Sequence, residues 1–208
     1  MNRLKIGRIA KFFFSLILIF LILDVHLSFS RPVQDNKGKA VLIIANSNFR
    51  DEELFETKDV IEDSGVTVTV ASDSLKTAEG MLGGETKPDI TIETVEVEDY
   101  DIVVFVGGRG ATIYLDDLLA HRIAKKAVSG NKVLGAICIA PLILANAGVI
   151  KEKRVTSWPG VCEKIIEKGA NCTGNSVEID GNIVTANGPK AAKAFGEALL
   201  KVFFKTEN

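Results

Sequence analysis

The residue best placed for chemistry is Cys138, within Gly135-Ala136-Ile137-Cys138-Ile139-Ala140-Pro141. Upstream, Asn131-Lys132-Val133-Leu134 leads into a short buried strand. Downstream, Leu142 to Ala147 reads as a short helix closed by Gly148. Cys138 falls on the turn between them. Such a turn crowds the positions two before and two after its central residue, and Ala136 and Ala140 are small enough to fit. Pro141 suits the first turn of a helix, where its missing N–H costs nothing. This is the nucleophile-elbow pattern with cysteine in place of serine. Free N–H groups at the helix start favour the thiolate, the nucleophilic form. Flanking Ile137 and Ile139 oppose it by desolvation, and the N–H groups are expected to win. The plain alternative is that Cys138 is a small apolar residue buried in a strand.

The elements that must position Cys138 lie in the body of the chain, behind a leader. Arg3, Lys5, Arg8 and Lys11 precede an uncharged run from Phe12 to Leu23. That run has the length of a signal-peptide core and is short for a membrane span. Ser28-Phe29-Ser30 offers small residues for a cut before Arg31. The other reading is an uncleaved anchor, with Val25 to Phe29 extending the apolar stretch. Either way residues 1–30 export the body, periplasmic, secreted or anchored, because the basic residues stay inside. Residues 31–38 read as a linker. The leader carries a net +3, so the chain's −2 becomes −5 for the body, which argues against nucleic acid or an anionic membrane as partner. The membrane is met only through the leader.

From residue 39 the pattern alternates strand and helix. Ala40-Val41-Leu42-Ile43-Ile44-Ala45 is a continuous apolar run, as for a parallel strand buried on both faces. Asp51 to Ser64 reads as an amphipathic helix with acids in its first turn and Gly65 as its stop. Val66 to Ala71 and Asp101 to Val106 are further strands, the latter ended by Gly107-Gly108. Residues 72–99 read as short antiparallel strands and loops, with alternation at Ile90, Ile92, Val95 and Val97. Helices are expected over Thr112 to Ser129, Val161 to Lys168 and Pro189 to Phe204, with a short strand over Arg154 to Ser157. Val177 to Ile179 and Ile183 to Thr185 flank Asp180-Gly181-Asn182 as a hairpin. The expected fold is α/β, an open, mostly parallel sheet with helices on both faces. Ligands of such sheets bind at the carboxyl ends of the strands. Residues 46–53, Gly107-Gly108 and Cys138 all sit at such ends.

Taken together, these pieces resemble the ThiJ/PfpI family, with its flavodoxin-like, class I glutamine amidotransferase-like fold. The resemblance runs from about residue 39 to 206. It is carried by Lys39 to Ala45, Phe49-Arg50-Asp51-Glu52-Glu53-Leu54, Tyr100 to Gly108, Ala136 to Pro141, Thr156-Ser157-Trp158-Pro159-Gly160 and Asp180 to Pro189. It implies that Cys138 is a nucleophilic, oxidation-sensitive thiol and that Glu53, rather than Glu52 or Glu56, bonds to it. Gly108 and the N–H of Ile139 would hold an oxyanion. Gly107 and Trp158 would border the pocket. Read from the residues alone, Glu53 is a solvated first-turn acid and Gly107-Gly108 an ordinary loop.

This sequence departs from the family's protease-like pattern. Ile139 stands where those members carry histidine, Ala140 where glycine is usual, and Val106 where proline often precedes the paired glycines. After residue 30 the only histidine is His121, mid-helix. A Cys-His pair cannot be assembled at the elbow, which argues against peptidase activity. Three cysteines and one histidine in the body lack metal-ligand spacing, so no metal or other cofactor is expected. Two functions follow from the resemblance. One is a glyoxalase- or deglycase-like enzyme acting on a small carbonyl compound or a glycated protein. The other is a thiol redox sensor or chaperone-like protein without turnover. Family members usually form homo-oligomers, dimers or larger. Cys162 and Cys172 are expected to be free, since a helix end between them would hold their Cα atoms beyond about 7 Å.

Overall fold

The computed structural model describes residues 37–206. The leader, and the linker as far as residue 36, lie outside the described residues. The first elements are β1 (Lys39–Ile44), β2 (Ser47–Phe49), α1 (Asp51–Asp63) and β3 (Thr67–Ser72). Then come β4 (Ala78–Gly80), β5 (Glu85–Thr86), β6 (Ile90–Thr91), β7 (Ile102–Phe105) and α2 (Leu118–Ser129). The chain continues through β8 (Val133–Ile137), α3 (Pro141–Asn146), β9 (Arg154–Val155), α4 (Pro159–Glu167) and β10 (Asn171–Cys172). It ends with β11 (Val177–Asp180), β12 (Ile183–Ala186) and α5 (Ala192–Thr206).

Seven strands form the main sheet in the order β11-β12-β8-β7-β1-β3-β6. All pairings are parallel except that of the edge strand β11 with β12. The apolar run of β1 feeds two cores at once. Val41 and Ile43 pack with Ile123 of α2, Ile143 of α3 and Ile165 of α4 on one face. Leu42 and Ile44 pack with Leu54 of α1 and Phe195 and Leu199 of α5 on the other. Side chains alternate across a strand, so burial of both faces erases any polar alternation from the sequence. The sheet with helices on both faces is the one expected.

Register places the site. Ile43 of β1 is level with Phe105 of β7, and Phe105 is level with Ala136 of β8. The loops that follow these three adjacent strands therefore leave the sheet side by side. They carry residues 45–50, Gly107-Gly108 and Cys138.

Several boundaries differ from the sequence reading. Ile92 and Val97 are buried on 3₁₀ turns and Val95 is buried just after the first of them, so none of the three lies on a strand. β6 is only two residues long and runs parallel to β3, while β4 and β5 form the antiparallel hairpin. The helix expected from Thr112 begins at Leu118, because Asp117 caps it by accepting the Ala120 N–H at 2.7 Å. Residues Arg109–Tyr114 are 3₁₀ instead. The closing helix likewise starts with a 3₁₀ turn over Pro189–Ala191. The hairpin of β11 and β12 pairs as expected, with Ile179 opposite Val184.

The largest correction concerns the other cysteines. Cys162 and Cys172 form a disulfide, with Cα atoms 5.8 Å apart. The helix end does not hold them apart. After α4 the chain reverses at Gly169, and β10 pairs with β9, the strand before the helix, Cys172 lying level with Val155. The return path thus runs back beside the start of α4, where Cys162 sits.

Candidate active site

Cys138 occupies the turn between β8 and α3 with φ +64°, an uncommon backbone state for a side chain larger than glycine. Such residues cost about 1–3 kcal/mol and persist where the surroundings hold them. Here both backbone groups are pinned: the Cys138 N–H donates to Ala186 O at 2.9 Å, and Cys138 O accepts from the Trp158 N–H at 2.7 Å. Ala136 and Ala140 are fully buried beneath the turn. The thiol receives the backbone N–H groups of Gly108 and Ile139.

Glu53 lies in the first turn of α1, yet it is fully buried. Its Oε2 accepts the Gly107 N–H at 3.1 Å. The thiol is close enough to favour the carboxylate, but no group meets full hydrogen-bond geometry at Oε1, which is buried. Glu52 instead forms a two-point pair with Arg50, and Glu56 is exposed. A side chain at Gly107 would run into both Glu53 Oε2 and Cys138 Cβ, so this position admits only hydrogen. Gly108 has φ +96°, and a Cβ there would meet Arg50 N and Asn48 O at 2.5 Å.

Burial pushes the Glu53 carboxyl up to about 7 against the smaller opposing effects of the thiol and the Gly107 N–H. Burial also pushes the Cys138 thiol up to about 12, and the charge of Glu53 adds to it. The Gly108 and Ile139 N–H groups pull the other way and lose. This reverses the expectation that the turn's N–H groups decide the thiol. Two groups that both pay for charge are side by side, and the negative form of one disfavours that of the other. A carboxylate at Glu53 next to a neutral thiol can act as its base.

The pair opens into a cavity of about 370 Å³. Met81, Ile139, Trp158 and Pro189 form its apolar walls, and Arg50 and Arg109 also line it. Trp158 is half exposed. The structure thus brings Cys138, Glu53, Gly107, Gly108, Ile139 and Trp158 together. It leaves His121 elsewhere, bonded through Nε2 to Leu115 O at 2.8 Å. Among the described residues, no group of His, Cys, Asp or Glu is arranged to hold a metal.

Met81 and Arg109 were not picked out in the sequence, and Arg50, Asp51 and Pro189 stood there only within longer stretches, with no role of their own. Asp51 is buried and accepts the Leu82 N–H at 2.8 Å and the Gly84 N–H at 2.7 Å. It fastens the β4–β5 hairpin, which carries Met81 to the cavity. A second acid two residues before Glu53 was the available signal.

The DJ-1/PfpI family model matches residues 39–202. The chain belongs to the DJ-1/PfpI family. An uncharacterized protein of Methanocaldococcus jannaschii, MJ0967, is 36% identical over 195 residues, covering 91% of this chain and 95% of that protein. Deglycase PH1704 of Pyrococcus horikoshii is 32% identical over 162 residues, covering 78% of this chain and 98% of the relative. Glutathione-independent glyoxalase DJR-1.2 of Caenorhabditis elegans is 27% identical over 162 residues, 78% of this chain and 87% of the relative. The solved ThiJ/PfpI domain protein of Brachyspira murdochii superposes with a TM-score of 0.79 at 35% identity, covering 80% of this chain and 96% of that one. The sheet of this DJ-1/PfpI protein has the flavodoxin-like, class I glutamine amidotransferase-like architecture.

Proposed function

We propose that the protein protects against reactive carbonyl compounds by a glyoxalase- or deglycase-like reaction at Cys138. The observation that carries this reading is the buried Glu53 carboxyl, raised to about 7, beside the thiol. Relatives named as a deglycase and a glyoxalase support it. As the sulfur attacks an aldehyde carbon, Glu53 takes the thiol proton and returns it to the carbonyl oxygen. The product is a hemithioacetal, with one S–C bond formed and one C=O π bond broken. The N–H groups of Gly108 and Ile139 stabilise the negative charge as it develops. Purified protein should consume methylglyoxal. Cys138→Ala should abolish turnover, and Glu53→Gln should lower kcat by about a hundredfold or more. Turnover that survives Cys138→Ala overturns the reading.

The absence of a histidine partner at the elbow supports a second reading, a redox sensor without turnover, although the raised thiol, scarce as thiolate at neutral pH, counts against it. That reading holds if methylglyoxal is untouched while mild peroxide carries Cys138 to the sulfinic state.

We further propose export of the body. The bond between Cys162 and Cys172 suits an oxidising compartment. The match to MJ0967 covers too much of this chain to come from residues 39–208 alone, so it reaches into the N-terminal region.

A further inference from the structure

Two arginines line the cavity, and they differ in their partners. Arg50 is neutralised by Glu52, with Nε on Oε2 at 2.8 Å and Nη2 on Oε1 at 2.9 Å. Arg109 is exposed, and among the described residues its guanidinium makes no ion pair or side-chain hydrogen bond. Its backbone is held in place. Gly108, just before it, abuts Arg50 N and Asn48 O, and Gly107 O accepts the Arg50 N–H at 3.2 Å. Inside, the described residues lining the cavity include one carboxyl, Glu53, whose buried Oε1 has no full hydrogen bond. The cavity is thus lined by the Cys138–Glu53 pair, by apolar side chains and, among the described residues, by one arginine without a side-chain partner.

We infer that the preferred substrate is a small 2-oxoaldehyde bearing a carboxylate at its far end, with Arg109 selecting the anionic group. This rests on the carbonyl reading of the Cys138–Glu53 pair. In this reading the aldehyde carbon meets Sγ beside Glu53 and the carboxylate meets the Arg109 guanidinium, all three residues lining the one cavity. Arginine matches a carboxylate with two parallel N–H donors. The chemistry balances without an outside oxidant. Sulfur adds to the aldehyde carbon, a proton moves from that carbon to the neighbouring ketone carbon, and water cleaves the resulting thioester. The aldehyde carbon is oxidised to a carboxylate, the ketone is reduced to an alcohol, one proton is released and the thiol is regenerated.

The test compares 4,5-dioxopentanoate with uncharged 2-oxopentanal, which has the same number of carbons. The wild type should favour the anionic compound in kcat/KM by about tenfold, equivalent to about 1.4 kcal/mol. Arg109→Gln should bring the ratio towards one, and Arg109→Lys should restore part of it. A wild-type ratio near one, or a ratio that Arg109→Gln leaves intact, overturns the inference. A second measurement needs no turnover: protection of Cys138 from iodoacetamide by 4-oxopentanoate, compared with 2-pentanone. Stronger protection by the anion, lost in Arg109→Gln, sustains the selection even if neither aldehyde is consumed, in which case the catalytic reading alone fails. Equal protection by both compounds overturns the inference.

Discussion

The Glu53 carboxyl lies against the Cys138 thiol at Gly107, whose N–H holds Oε2 at 3.1 Å and whose missing side chain lets the two groups meet. Each changes the other's proton affinity. The thiol lowers Glu53, and the carboxylate raises Cys138. At neutral pH the pair holds the thiol proton and a half-titrated carboxyl, a base and its target in contact.

That arrangement costs stability, and the cost depends on pH. Glu53 titrates at about 7 in the folded chain against 4.5 as its ordinary value. Between these values the folded state binds more protons than the unfolded one, so stability falls as pH rises from about 4.5 to about 7. The full loss above pH 7 is about 3 kcal/mol. Glu53→Gln removes the charge. It should raise Tm at pH 8, with the gain fading towards pH 4.5, while the same substitution impairs turnover. A Tm difference that does not change with pH would show that Glu53 is not a buried titrating acid.

The disulfide makes a separate contribution. It closes a loop with a sequence separation of 10 residues. Loop-closure entropy for that length amounts to about 2–3 kcal/mol. Cys172→Ser should lower stability by that amount in denaturant melts, and dithiothreitol should destabilise the wild type but not the double variant Cys162→Ser, Cys172→Ser. Equal midpoints for reduced and oxidised wild type would contradict this.

Asp51 is predicted to act through the hairpin it holds. Removing its carboxylate leaves the Leu82 and Gly84 N–H groups without their acceptor. Asp51→Ala should cost about 1–3 kcal/mol and speed proteolysis within residues 80–86. Because Met81 moves with the hairpin, KM should rise more than kcat falls. Unchanged cleavage of the hairpin would remove Asp51 from this role.

What the sequence revealed, and what it did not, follows from how local each feature is. β1, β7 and β8 were legible because strands buried on both faces leave continuous apolar runs. The turn at Cys138 was legible because its geometry demands small neighbours, and Ala136, Ala140 and Pro141 meet that demand locally. Glu53 looked like a solvated acid, and only the family resemblance pointed to it. Its burial depends on β7 ending level with β1. The rise of the thiol was missed for the same reason: the opposing N–H groups are local, whereas the burial and the carboxylate are tertiary. The bond between Cys162 and Cys172 depends on β10 returning to β9, which spacing alone does not encode. Ile92, Val95 and Val97 were misread because successive 3₁₀ turns and the link between them bury residues at a spacing that imitates a strand. Arg109 had no pattern at all, being one exposed arginine whose meaning comes from the cavity beside it.

Export is the prediction that joins the two ends of the argument. Four basic residues, an apolar run from Phe12 to Leu23 and the small residues Ser28 and Ser30 form the order of a cleaved leader. The disulfide is the independent support, since such bonds persist where thiols are not kept reduced. Intact-mass analysis of the protein from its native host should therefore show two changes together: loss of residues 1–30, and a further loss of two hydrogens for the bridge. The product should fractionate outside the cytoplasm. Full-length protein in the soluble cytoplasmic fraction, bridged or not, would defeat export and leave the bridge as a stabilising device alone.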